Sequence, residues 1–147
     1  MGIVKLHAMF GGLAIVVIGV FFGATVVVEL FGTHEQVALV KLRILQTIPL
    51  LVLLLAGAGI MGNRVGAGWT DPLVAAKRRR MAFAAINGLA LLIPSAVLLA
   101  RWSAAGRFDT MFYAVQAVEL LAGGTNIVLL SRNALAGLQL RRASHPA

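Results

Sequence analysis

The sequence predicts an all-α integral membrane protein: four transmembrane helices forming an antiparallel bundle of two hairpins. Three observations carry this. Hydrophobic residues make up 60% of the 147 residues and charged residues only 12%, whereas soluble domains are roughly one-half apolar and about a quarter charged. Mean hydropathy is +0.93, so the chain needs lipid as the solvent for much of its apolar surface. The apolar residues also gather into four runs, each long enough to supply the ~20 residues that cross ~30 Å of hydrocarbon. The chain reads as a single membrane domain.

The first helix is predicted over 3–31. Its apolar run is too long for a signal peptide and has no convincing cleavage site, which predicts a retained span. The start Met1-Gly2-Ile3-Val4-Lys5-Leu6 lacks the hydroxyl residue of a myristoylation site. Gly32 supplies the stop. Thr33 and Gln36 have capping-box spacing, so a second helix begins at once and runs over 34–61, with Pro49 as an internal kink. Both helices exceed the hydrocarbon thickness and should tilt or protrude. Gly62, Gly66 and Gly68 mark a loop through Thr70. Asp71 before Pro72 is a helix start, and the third span is predicted over 72–102, passing through Lys77-Arg78-Arg79-Arg80 without a break. Asn87, Pro94 and Ser95 predict a bend in it, with the freed carbonyl satisfied locally. Gly106 and Asp109 bracket a short turn, with Asp109 as the N-cap of a fourth span over 109–132. Residues 133–147 read as a polar, basic, frayed tail.

There are 13 Lys+Arg against 5 Asp+Glu. The basic residues cluster at the ends of apolar runs, as orientation signals and lipid-headgroup contacts do, and no nucleic-acid-reading motif accompanies them. Lys5, Arg64, Lys77, Arg78, Arg79, Arg80, Arg132, Arg141 and Arg142 fall on one side, and only Lys41, Arg43, Arg101 and Arg107 on the other. The positive-inside rule therefore predicts both termini in the cytoplasm, in a bacterial inner membrane. The run Lys77–Arg80 is expected to meet anionic headgroups or an acidic partner. No cysteine is present, which rules out disulfides, iron–sulfur clusters, thiolate metal sites and attached c-type haem.

Polar residues inside apolar spans are costly and mark structure or function. In the fourth span Gln116, Glu119, Gly123 and Asn126 share one face by their spacing, and Gly123 with Gly124 would admit a close neighbour. The second span offers Lys41, Arg43, Gln46 and Thr47 as partners for Glu119. The expectation is an Arg43–Glu119 pair supported by Gln46, which would keep the carboxylate charged. The first span carries His7, Gly11, Ala14, Ile18, Phe22, Thr25 and Glu29 on a common stripe, with Glu29 near its end within reach of water or Lys41.

His7 reads first as an interfacial hydrogen-bonder and second as a ligand for b-type haem or a quinone; the sequence itself requires no cofactor. His34 lies almost a whole helix away and cannot share an iron with His7 in one chain; His145, in the tail, is the other candidate. Met9 beside His7 lies off its face, which argues against copper. The chain has no Glu-x-x-His pair, P-loop, Gly-x-Ser-x-Gly or His-Glu-x-x-His, so no catalytic residue or metal site is assigned.

Three functions fit. The leading expectation is an accessory, assembly or structural subunit of a larger membrane complex, associating with other membrane subunits or with itself. The alternatives are a dimeric proton- or ion-coupled transporter using Glu119, and a haem- or quinone-associated redox protein using His7. Small multidrug transporters offer only an analogy of architecture to the second: their central carboxylate is not in the last span, and none of their motifs is present.

Overall fold

The computed structural model describes residues 2–143. Among them there are four helices long and apolar enough to cross a membrane and no strand. α1 spans Ile3–Phe31 and α2 His34–Val65. α3, Pro72–Asn87, runs through a π turn, Gly88–Leu92, into α4, Ile93–Ala104. α5 is Thr110–Ala143. At ~1.5 Å per residue each of the four rods exceeds ~40 Å, more than the ~30 Å of a bilayer interior.

Local chemistry sets the ends. Thr33 Oγ1 accepts from the Gln36 amide at 3.3 Å and Gln36 Oε1 accepts from the Thr33 amide at 2.9 Å, the reciprocal capping box that starts α2. Gly32 donates its N–H to the Val28 carbonyl, and a Cβ there would lie 2.6 Å from that oxygen. Only glycine permits so tight a reversal. Asp71 Oδ1 caps Leu73 N at 2.7 Å before Pro72. Asp109 Oδ1 caps Phe112 N at 3.0 Å, and Gly106 takes φ +70° to turn the chain into α5.

Short turns make sequential rods antiparallel, and the contacts close the ring: α1 packs on α2, α2 on α4, α4 and α3 on α5, and α5 back on α1. Two apolar cores fill it. Toward the 32–33 and 105–109 turns, Val37, Leu99 and Phe112 are buried among Val28, Trp102, Phe108 and Val115. Nearer the termini, Ile18, Ala84 and Leu130 are buried among Ile15, Leu51, Leu55, Met81, Ile127 and Leu129. The predicted stripe on α1 is the inward face: Ala14, Ile18 and Thr25 are buried, and Phe22 lies against Gly123 and Gly124.

Three boundaries differ from expectation. α2 continues to Val65 rather than stopping near Met61, because Gly62 is a packing glycine: a Cβ there would lie 2.8 Å from His7 Cε1. The third rod reaches Ala104. The expected tail is helical to Ala143, and its first turns are held by packing: Asn133 Nδ2 donates to the Lys77 carbonyl at 3.1 Å, and Ala136 is buried.

At Pro94 the third rod adjusts locally, through a π turn. Proline lacks the N–H its helix needs, and its ring crowds the carbonyl one turn back. The π turn just before Pro94 answers this: Ile93 N–H reaches back to the Gly88 carbonyl, widening the helix ahead of the ring. Asn87, at the start of that turn, bonds to another helix instead of to its own.

Candidate functional site: two buried polar layers

The polar face predicted on α5 divides into two layers. Glu119 and Gln116 form the first. Lys41 Nζ donates to Glu119 Oε2, and Gln116 Nε2 donates to the same oxygen at 3.1 Å. The Lys41 side chain is 0% exposed and that of Glu119 11%. This corrects the expected pairing: the partner of Glu119 is Lys41, not Arg43. Arg43 and Gln46 point out of the bundle and bond to each other, Nη1 to Oε1 at 3.2 Å, and Thr47 Oγ1 donates to the Arg43 carbonyl at 2.8 Å.

Helical phase explains the difference. Lys41 falls four residues after Val37 and three before Ile44, both buried, so it lies in the apolar stripe. Arg43 is two residues on, about 200° around the helix. That signal is present in the sequence and would have singled out Lys41.

Glu29 of α1 completes the layer. Its Oε1 is buried and accepts no hydrogen bond, as is Gln116 Oε1. The charged groups that act on the Glu29 carboxyl are Lys41, Glu119 and His34. Above it the two outer turns are knitted together by aromatic contacts. His34 stacks on Phe108 with centroids 3.9 Å apart, Phe108 packs on Phe112 at 4.8 Å, and the Arg107 guanidinium lies 4.6 Å from the Trp102 ring. Arg107 also donates to Asp109 Oδ2 at 2.6 Å; this hydrogen bond, with the Phe112 amide, holds the Asp109 carboxyl below its usual range.

Asn126 forms the second layer with Asn87. Asn87 Nδ2 donates to Asn126 Oδ1 and to the Ala122 carbonyl, both at 2.8 Å, and Asn126 Nδ2 donates to the Ala84 carbonyl at 3.2 Å. The clasp ties the third rod to α5 beside the π turn. Asn126 is 2% exposed.

The remaining predicted residues go elsewhere. His7 Nδ1 lies 2.9 Å from the Ala58 carbonyl. A carbonyl only accepts, so Nδ1 carries the proton in that contact, and the ring is wedged against Gly62. Beside the same hairpin, Ile3, Leu6, Gly57, Ile60, Met61 and Arg64 line an apolar groove of about 410 Å³. His145 lies outside the described residues. The basic run is divided in use. Lys77 is half-buried against α5, its Nζ 3.1 Å from where a Gly137 Cβ would stand. Arg78 Nη2 donates to the Gly66 carbonyl at 2.8 Å. Arg79 is exposed and Arg80 partly so. Among the described residues no group of three or more His, Asp or Glu side chains has metal-site geometry. No known protein family, curated protein or solved structure matches the chain.

Proposed function

We propose that this chain is a four-span protein of a bacterial cytoplasmic membrane that serves as an accessory or structural subunit of a larger membrane assembly. The observation that carries this reading is the outward-facing pair of Arg43 and Gln46 on α2. Arg43 is nine residues into the helix, about 14 Å along it, inside the apolar stretch. A guanidinium there has no acceptor in lipid tails, and its cost approaches the ~2.5–3.5 kcal/mol of mid-membrane the deeper it sits. A partner helix offering a carboxylate or carbonyl at that depth offsets the cost and fixes the register. The inward polar groups, by contrast, act as internal glue: Lys41–Glu119, Asn87–Asn126 and His7–Ala58 each join two helices.

The same reading places both termini in the cytoplasm. Lys41, buried in an internal ion pair, and Arg43, within the span, no longer count as orienting charges, so the opposite side keeps Arg101 and Arg107 against the basic cluster at the termini. Arg79 and Arg80 then meet anionic headgroups, an attraction that weakens with salt.

Native extraction into lipid nanodiscs, with mass spectrometry of whatever accompanies the chain, tests the reading. The expected result is a defined set of membrane partners, or further copies of this chain. They should be lost in Arg43→Ala and Gln46→Ala while the thermal stability of the chain itself is unchanged. A wild-type chain extracted alone, or partners retained at full stoichiometry in both variants, would overturn it.

A further inference from the structure

The layer around Lys41 is unbalanced in charge and in hydrogen bonds. It holds one ammonium, Lys41, and two carboxyls, Glu29 and Glu119. The remaining wall, α4, buries Ser95, Ala96, Leu99, Ala100 and Ser103, none of them charged. Lys41 and Glu119 neutralise one another. A second full negative charge on Glu29 would have no further ammonium or guanidinium to meet it, only the His34 imidazole near the end of the layer.

The hydrogen bonding shows the same surplus independently. Gln116 is 4% exposed and its amide nitrogen is committed to Glu119. Its Oε1 is nevertheless buried with no donor, and so is Glu29 Oε1. Lys41 reaches neither oxygen. The layer therefore has acceptors to spare and lacks a donor, and a carboxylic O–H is the donor that fills the gap without adding net charge. Two carboxyls that share a site do not both ionise readily.

We propose that Glu29, Lys41 and Glu119 form a single-proton site: the two carboxyls carry one exchangeable proton between them, balanced by the Lys41 ammonium. Glu29 is two residues from the end of α1, so the proton enters from the side of the 32–33 and 105–109 turns. His34, which stacks on Phe108, is the nearby imidazole and is not the carrier. This goes beyond the subunit reading and does not depend on it.

The test uses the full chain in liposomes and a hydrophobic carbodiimide, which modifies protonated carboxyls in apolar settings; peptide mass spectrometry locates the adduct. Wild type should label at Glu29 or Glu119, once per chain, with the yield falling as pH rises. Glu29→Gln leaves a neutral Lys41–Glu119 pair, so labelling of Glu119 should fall at least ~10-fold. Glu119→Gln lets Lys41 neutralise Glu29, and labelling of Glu29 should fall by the same factor. Lys41→Met removes the cation and should extend labelling of both carboxyls to higher pH; if that variant does not fold, the two near-isosteric Gln variants decide. His34→Phe should leave the profile unchanged. Three results would overturn the proposal: no labelling of wild type at any pH, undiminished labelling of the surviving carboxyl in both Gln variants, or loss of the pH dependence in His34→Phe.

Discussion

Seven residues of α5, about 10 Å of helix, separate Glu119 from Asn126, and the two positions are held in opposite ways. Glu119 depends on a charged partner from another helix, Lys41, which is itself wholly enclosed. Asn126 is met by another amide and by backbone carbonyls, each donor facing an acceptor. The first layer leaves two buried oxygens without a donor; the amides of the second are both engaged. A neutral clasp can tolerate the loss of a member, because what remains is a small polar group that finds a backbone partner. An ion pair cannot, because what remains is a charge. The comparison assigns the tolerant chemistry to the middle of the bundle, where α5 is longest from either end, and the intolerant chemistry nearer the turn that Glu29 and His34 border.

The largest effect should come from separating the ion pair. Lys41→Met removes the one cation of the layer and should cost ~3–5 kcal/mol, read as loss of thermal stability in detergent; Glu119→Leu should cost less, because Glu29 remains to neutralise Lys41. The double variant Lys41→Met/Glu119→Leu should recover most of that loss, since a packed apolar pair replaces a desolvated ionic one. A double variant as unstable as the singles would mean that the layer is held by something other than the pair. Next comes Gly62→Ala, in the half nearer the termini. The new Cβ would lie 2.8 Å from His7 Cε1, so the His7 ring must shift from its place against the Ala58 carbonyl or the two helices must part, at ~1–3 kcal/mol. His7→Ala in the same chain should relieve most of it.

The clasp should be weaker. Asn126→Ala should cost ~1–2 kcal/mol, in the range of buried hydrogen bonds between apolar helices. A cost equal to that of Lys41→Met would erase the distinction between the layers. The smallest effect lies outside the spans. The Asp109 carboxyl is held below its usual range, chiefly by Arg107, so its contribution is present above the ordinary carboxylate pKa and is lost as pH falls through the depressed value. Asp109→Asn should flatten the acid side of a stability–pH profile without altering the response of the ion-pair variants.

Much of the framework was legible along the chain because local rules govern it. The Thr33–Gln36 capping box, the Asp71–Pro72 start and the Asp109 cap each involve groups within three residues of one another, a scale at which sequence spacing is geometry. The inward stripe of α1 was legible for the same reason. The Arg43 expectation failed because it matched depth and charge but not helical phase. The end of α5 was misplaced because Asn133 and the basic residues after Leu140 outweighed the apolar Ala134-Leu135-Ala136 and Leu138 between them, and its helix is held by the Lys77 carbonyl, a contact 56 residues away in sequence. The His34–Phe108 stack and the Asn87–Asn126 bond were illegible for that reason too, since each joins segments far apart in sequence.

Composition and run length by themselves determined that this chain makes span-length apolar helices in two hairpins, because lipid-compatible helices are specified by residues close in sequence. Which buried groups meet was decided only by packing. Lys41, rather than Arg43, reached Glu119 because the rotation of α2 buries Val37 and Ile44 and carries Lys41 inward with them. Asn126 joined Asn87 and the Ala84 carbonyl rather than the Glu119 layer because the packing of the third rod on α5 brings those groups to its level.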